Sequence, residues 1–214
     1  MLVIGAKGLA IELLDILLRQ DKLDDLAFYD DINPHKDNLL YGQFPVLKNH
    51  DEAQKYFTEK TKDFILGVGF PEVRHKLYHQ FKELGGNPIN IISDDCIIGH
   101  FNCILEDGVT ISYQANVSNN VLVKKGTFIN SKAIIGHDSV IGEFCEICPS
   151  VNIAGHVEIG DFTFIGTGVI IYPNVKIGKN VSITAGSIVR KNIPDNAIVH
   201  GVDGKIIKLK KNID

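Results

Sequence analysis

From Leu105 to Val189 every sixth residue is aliphatic without interruption: Leu105, Ile111, Val117, Val123, Ile129, Ile135, Ile141, Ile147, Ile153, Ile159, Ile165, Ile171, Ile177, Ile183 and Val189. Four residues after each position up to Ile183 stands a small or β-branched side chain, from Val109 and Ala115 through Cys145 to Ser187. A helix repeats about every 3.6 residues and a half-buried strand about every two, so neither produces this period. A solenoid does, when three short strands close one triangular coil and each sends its aliphatic residue inward. The pattern predicts roughly five such coils. Ile98-Gly99 stands one residue out of register, so the first coil is expected to be irregular. Past Val189 the period stops, and the tail is expected to add one strand.

The first ninety residues follow another rhythm. Leu2-Val3-Ile4 is a short apolar run ending at Gly5-Ala6-Lys7-Gly8, and Leu9, Ile11, Leu13, Leu14, Ile16 and Leu17 then recur at helical spacing. Leu26-Ala27-Phe28-Tyr29 reads as a second strand closed by Asp30-Asp31, and Phe64-Ile65-Leu66 as a third closed by Gly67-Val68-Gly69. Residues 71–84 read as a helix stopped by Gly85-Gly86-Asn87-Pro88. Alternating β and α segments predict a small Rossmann-like parallel sheet. The expected division is therefore residues 1–90 as an α/β domain and 91–214 as the solenoid with its tail.

Composition narrows the partners. The chain has 22 basic and 26 acidic residues, a formal charge of −4, and no basic stripe. Nucleic-acid binding is therefore not expected, and the lysines of the tail (Lys205, Lys208, Lys210, Lys211) read as a solvated end. No apolar run reaches the ~20 residues of a membrane span, and no secretory leader is evident. Four cysteines suit a reduced cytoplasm. Cys145 and Cys148 make a C-x-x-C, but Cys145 occupies a small-residue slot of the repeat and is expected to face the core.

The long six-residue repeat, the short α/β region before it and the His137-Asp138 pair together resemble the bacterial sugar acyltransferases of the NeuD/PglD type, which acetylate nucleotide-linked amino sugars or sialic acid. The resemblance covers nearly the whole chain. It implies a left-handed parallel β-helix, a homotrimer with active sites between neighbouring prisms, acetyl-CoA as co-substrate, no metal, and a nucleotide-sugar held by the N-terminal domain.

Acyl transfer from a thioester needs a base to take the nucleophile's proton and donors for the oxyanion. His137 lies two residues after the inward Ile135, at a corner, and is the expected base. Asp138 beside it is expected to fix its tautomer. Asn119, one coil earlier, should stack under this corner, either to bind substrate or to satisfy the turn backbone. Several relatives carry a second histidine where this chain has Glu146, which leaves the donor contact there open.

His156 stands nineteen residues after His137, one off the coil repeat. It is expected not to share the His137 corner, which counts against a zinc site and suggests a donor-groove role. Further donor contacts are expected from Gly155, Gly166, Thr167, Gly168, Ala185, Gly186 and Ser187, where small residues let a cofactor approach. Gly201 and Lys205 match the family's closing segment. In the N-terminal domain Gly5, Lys7 and Gly8 offer backbone N–H groups at a helix start. By resemblance, Asp30 and Asp31 would meet the base or ribose, and Gly67 and Gly69, with Arg74 nearby, would complete the pocket.

The expected activity is acetyl-CoA-dependent N-acetylation of a UDP- or dTDP-linked 4-amino-4,6-dideoxysugar in surface-glycan synthesis, by direct attack in a ternary complex. Sugar O-acetylation of the sialic-acid type is the nearest alternative. A non-catalytic trimeric nucleotide-binding scaffold and a zinc hydratase are more distant ones.

Overall fold

A computed structural model describes residues 1–209. These residues form two compact units. One comprises residues 1–69 and 73–90, the other residues 70–72 and 91 onward.

The first unit is an α/β sheet. In chain order it contains β1 (Leu2–Ile4), α1 (Leu9–Arg19), β2 (Ala27–Tyr29), β3 (Leu39–Leu40), β4 (Phe44–Leu47), α2 (His50–Glu59), β5 (Asp63–Leu66), the body of α3 (Pro71–Glu83) and β6 (Asn87–Pro88). The strand order is β3-β4-β2-β1-β5-β6, parallel except for the β3–β4 pair. The chain leaves β1 on one side to build β2 and β4, then returns to the other side as β5. That reversal opens a crevice at the carboxyl ends of β1, β2 and β5. The apolar face of α1 (Ala10, Leu13, Leu14, Ile16, Leu17) is buried, as expected from its spacing. Two elements carried too little pattern to be read from sequence. α2 buries only Ala53 and Phe57, and β4 contains Pro45, which suits a strand paired on only part of its length.

The second unit is the hexapeptide-repeat β-helix. Two-residue strands stack into three parallel sheets, and each strand ends on an inward aliphatic residue of the series. The first sheet starts at Ile91–Ile92, the second at Ile97–Ile98 and the third at Ile104–Leu105. The small-residue positions are equally buried. Where they are polar, a hydrogen bond to the next coil offsets the cost of burial. The hydroxyl of Thr127 donates to Gly142 O (2.7 Å) and that of Thr163 to Gly178 O (2.9 Å). Cys145 is fully buried in the same slot, its Sγ 3.3 Å from Gly160 O, and burial pushes its thiol pKa up to about 12. Cys148 is also buried and shifted up to about 12. Neither thiol is poised as a nucleophile.

The irregular first coil has a simple cause. Ile92 pairs with Ile111 and Ile98 with Val117, but Leu105 pairs with Val123, so one extra residue sits in the turn between Ile98 and Ile104. At the far end Ile177 bridges Ile193, which shortens that coil by two residues. Ala197–His200 then joins the first sheet in parallel, and Lys205–Leu209 closes it as an antiparallel strand. Lys210 and Lys211 lie outside the described residues.

Candidate functional site

Each coil of the β-helix turns through a residue with positive φ. Along the corner between the second and third sheets these are Asn102, Asn120, Asp138, His156 and Asn174, with φ between 51° and 62°. Asparagine and aspartate tolerate this left-handed conformation better than most side chains. The preceding residues form a parallel column: Phe101, Asn119, His137, Gly155 and Pro173. The backbone N–H of His156 donates to the His137 carbonyl (2.9 Å) and that of Asp138 to Asn119 O (3.2 Å), which locks the coils in this register.

His137 and Asp138 therefore leave the coil side by side. His137 Nδ1 lies 2.6 Å from Asp138 Oδ2, with the histidine side chain 62% and the aspartate 38% exposed. Asn120 Nδ2 donates to the other carboxylate oxygen (3.1 Å). The hydrogen bond from His137 holds the Asp138 carboxyl below its usual range. Slight desolvation opposes that effect, while Asn120 and the charge of His156 add to it. An ionised carboxylate can only accept, so Nδ1 is the donor in this contact, and the acceptor of a neutral ring is Nε2, which lies beside Gly155.

The expected separation of His156 from this corner is not what the structure has. The repeat stacks His156 directly over Asp138, with Nε2 3.8 Å from Oδ2. Its ring meets the His137 ring edge-on, with centroids 5.1 Å apart and planes at 88°. A corner is two residues wide, so a one-residue offset shifts a side chain across it rather than away from it. The same coil arithmetic, applied to Asp138 instead of His137, would also have picked out Asn120.

Other expected residues take more local roles. The Asn119 side chain accepts from the Phe101 backbone N–H (3.1 Å), so its carbonyl is engaged in the turn beneath. A Cβ on Gly155 would lie 2.7 Å from the His137 ring, so this glycine makes room for the imidazole. Glu146, expected near the donor, accepts the backbone N–H of Phe70 (2.9 Å) within the same unit. Gly166 packs against the next coil, where a Cβ would lie 2.6 Å from the Ala185 nitrogen. Thr167, Gly168, Ala185 and Gly186 lie along the corner between the first and second sheets, with Thr167, Ala185 and Gly186 exposed. Gly201 donates its N–H to the buried Ser187 hydroxyl (3.1 Å), and Lys205 is exposed on the closing strand. The structure brings none of these last residues to the His137 corner of the same chain.

In the first unit a cavity of about 590 Å³ occupies the crevice at the sheet reversal. It is lined by Gly5, Lys7, Gly8, Asp30, Asp31, Gly67 and Gly69, together with Asn33, Lys76 and Gln80, which sequence reading had not singled out. Two glycines are dictated by contact. A Cβ on Gly5, whose φ is +111°, would lie 2.7 Å from Gly67 O, and one on Gly67 would lie 2.7 Å from the Ala10 Cβ. The loop can thus pass close to β5 and aim the start of α1 into the cavity.

The two aspartates differ sharply. Asp30 is buried and accepts from the backbone N–H groups of Ile32 (3.1 Å) and Asn33 (2.9 Å), with Asn33 Nδ2 and His35 Nε2 also in range. Burial works against its charge, but these hydrogen bonds outweigh it and hold the carboxyl below the usual range. Asp31 is exposed on the cavity and accepts from the Tyr29 hydroxyl, whose pKa is raised by burial and then by Asp31. Asp30 builds the turn, and Asp31 faces the space. Arg74 does not line the cavity; it is fully buried, and its Nη1 donates to Val68 O (2.8 Å).

Known proteins match both units. Residues 1–81 match the model of the PglD N-terminal domain, and residues 156–191 match the bacterial transferase hexapeptide repeat. Three solved structures align over nearly the full length of both partners. PerB from Caulobacter crescentus, solved with CoA and GDP-perosamine, is 24% identical, with 97% of this chain and 96% of that one covered and a TM-score of 0.88. WeeI from Acinetobacter baumannii AYE is 25% identical, with coverages of 96% and 98% and a TM-score of 0.88. The acetyltransferase domain of PglB from Neisseria gonorrhoeae FA1090 is 24% identical, with coverages of 96% and 98% and a TM-score of 0.87. The PglD-type resemblance is thus carried by the α/β unit, and the β-helix matches the bacterial transferase hexapeptide repeat.

Proposed function

We propose that this chain, built on the NeuD/PglD plan, is an acetyl-CoA-dependent N-acetyltransferase acting on the amine of a nucleotide-linked amino-deoxysugar in surface-glycan synthesis. The observation that carries the reading is the 2.6 Å contact between His137 Nδ1 and Asp138 on an exposed corner. It leaves Nε2, beside Gly155 on this corner, as the base of the neutral ring. A purely structural corner has no need of a histidine held in one tautomer.

In this reading the sugar amine attacks the thioester carbonyl of acetyl-CoA while Nε2 of His137 takes the amine proton. Asp138 keeps the ring oriented and offsets the imidazolium charge as it forms. The C–N bond forms, the C–S bond breaks, and His137 returns the proton to the departing thiolate. Among the described residues no cysteine is suited to carry the acetyl group, since burial raises the thiol pKa of all four, Cys96, Cys103, Cys145 and Cys148. A direct ternary-complex transfer follows.

The nucleotide belongs in the cavity of the first unit. Phosphates would meet the Gly5–Gly8 loop and Lys7, and Asp31 would accept from a sugar hydroxyl or a base N–H. PerB is a perosamine N-acetyltransferase solved with a GDP-linked sugar, so GDP joins UDP and dTDP among the nucleotides to test. The homotrimer also belongs here. Within one β-helix the His137 corner and the Thr167–Ala185 corner lie on opposite edges of the second sheet, so a donor that touches both requires a second copy.

The test is to incubate purified protein with acetyl-CoA and a panel of UDP-, dTDP- and GDP-linked 4-amino-4,6-dideoxysugars, following free CoA thiol and product mass. Acetylated product that vanishes in His137→Ala supports the proposal. No product across the panel, with acetylation of a sugar hydroxyl instead, replaces it with the O-acetyltransferase reading.

A further inference from the structure

We infer that the His137–Asp138–His156 corner also binds one divalent cation of the zinc or cobalt class, and that a cation held there blocks the catalytic base. Each of the three side chains offers one ligand atom, and these atoms all lie within 4.8 Å of one another. Among the described residues no other group of three His, Cys, Asp or Glu side chains comes this close. Asp138 Oδ2 is the shared vertex, 2.6 Å from His137 Nδ1 and 3.8 Å from His156 Nε2.

Two imidazoles and one carboxylate form a ligand set of borderline softness, suited to zinc and cobalt rather than to calcium or magnesium. The rings cross at 88°, so they are not stacked face to face and small side-chain rotations suffice to aim their nitrogens at one point. Asn120 holds Oδ1 at 3.1 Å and so turns Oδ2 toward the two histidines, the kind of outer contact that orients a ligating carboxylate. All three side chains are exposed, which leaves a fourth position to water. The cation is an inhibitor and not a reactant. Coordination by His137 replaces the Nδ1–H···Asp138 hydrogen bond on which the base depends.

Binding stands apart from the proposed activity; only the inhibition rests on it. Chelator-treated protein is titrated with Co²⁺ by visible absorption and with Zn²⁺ by calorimetry. The expected result is one equivalent per chain with a tetrahedral Co²⁺ spectrum. His156→Asn should weaken binding at least about tenfold, and Asp138→Asn should do the same. His79→Gln should leave it intact, although His79 and His75 form another close histidine pair, with ring centroids 4.6 Å apart. Zn²⁺ should inhibit acetyl transfer over the range in which it binds, reversibly on adding chelator. Absence of binding overturns the inference, as does binding that survives His156→Asn and is lost in His79→Gln. Failure to find an acceptor sugar would leave the Co²⁺ result unaffected, so the two proposals fail separately.

Discussion

The β-helix and the α/β unit present acidic residues to solvent in opposite ways. In the β-helix the backbone repeats so strictly that every corner residue has a fixed address, and a side chain that departs from its column stands out. The column of turn residues is asparagine at 102, 120 and 174 and is interrupted by Asp138 and His156, and His137 stands beside Asp138 in the adjoining column. In the α/β unit no such background exists. Asp30 and Asp31 are adjacent at the end of one strand, yet one is consumed by its own turn and the other faces the cavity. Periodicity separates role from scaffold; a strand end does not.

The sharpest way to break the first half of that contrast is to remove the histidine paired with Asp138. His137→Ala should lower kcat by about 10²- to 10⁴-fold and leave thermal stability nearly unchanged, because the side chain is mostly exposed. A matching loss of folded protein in circular dichroism would make His137 structural. Asp138→Asn should reduce kcat less, by roughly ten- to a hundredfold, since Nε2 remains but its orientation and charge support are lost. Gly155→Ala extends the comparison to a residue with no chemistry of its own. Its Cβ must displace the His137 ring, and a drop in kcat of roughly tenfold, with the melting temperature preserved, is the expected outcome.

The fold was legible to the extent that side chains repeat. The β-helix could be read because its inward position is aliphatic at each step, and β1, α1, β2 and β5 because their apolar runs are dense. Residues 32–62 were opaque. α2 buries two side chains, too few for a period to show, although Asn49 accepting from Glu52 N (2.9 Å) is a cap with a recognisable N-x-x-E spacing. His137 and Asp138 were legible as a pair on one corner, and the structure brings them into contact. His156 was misplaced because counting by eighteen from one residue ignores that the corner is two residues wide. The split between Asp30 and Asp31 was not legible, since it depends on Asn33 and His35 folding back onto Asp30.

Smaller effects sharpen the α/β half. Asp30→Ala removes the acceptor of a buried turn and should cost about 1–3 kcal/mol, seen as a lower denaturation midpoint. Asp31→Ala removes the acceptor of the Tyr29 hydroxyl, which lines the open cavity, and should cost less stability than Asp30→Ala while raising KM for the nucleotide-sugar. Reversal of the two outcomes would mean the assignments are exchanged. Asp30 also sets an acid limb. Its folded pKa lies below the unfolded value, so its contribution is fully present above about pH 4 and is lost as pH falls through the folded pKa. Thermal melts taken down that range should show a shallower decline in Asp30→Asn than in the native chain.

The central claim of the proposal is that His137 is the base of acetyl transfer to a nucleotide-linked amino sugar. Product mass from acetyl-CoA and the nucleotide amino-sugar panel, measured side by side for the native chain and His137→Ala, tests it most directly. The account predicts an N-acetylated sugar with stoichiometric CoA release in the native chain, and neither in the variant. Equal turnover by the two proteins would contradict it.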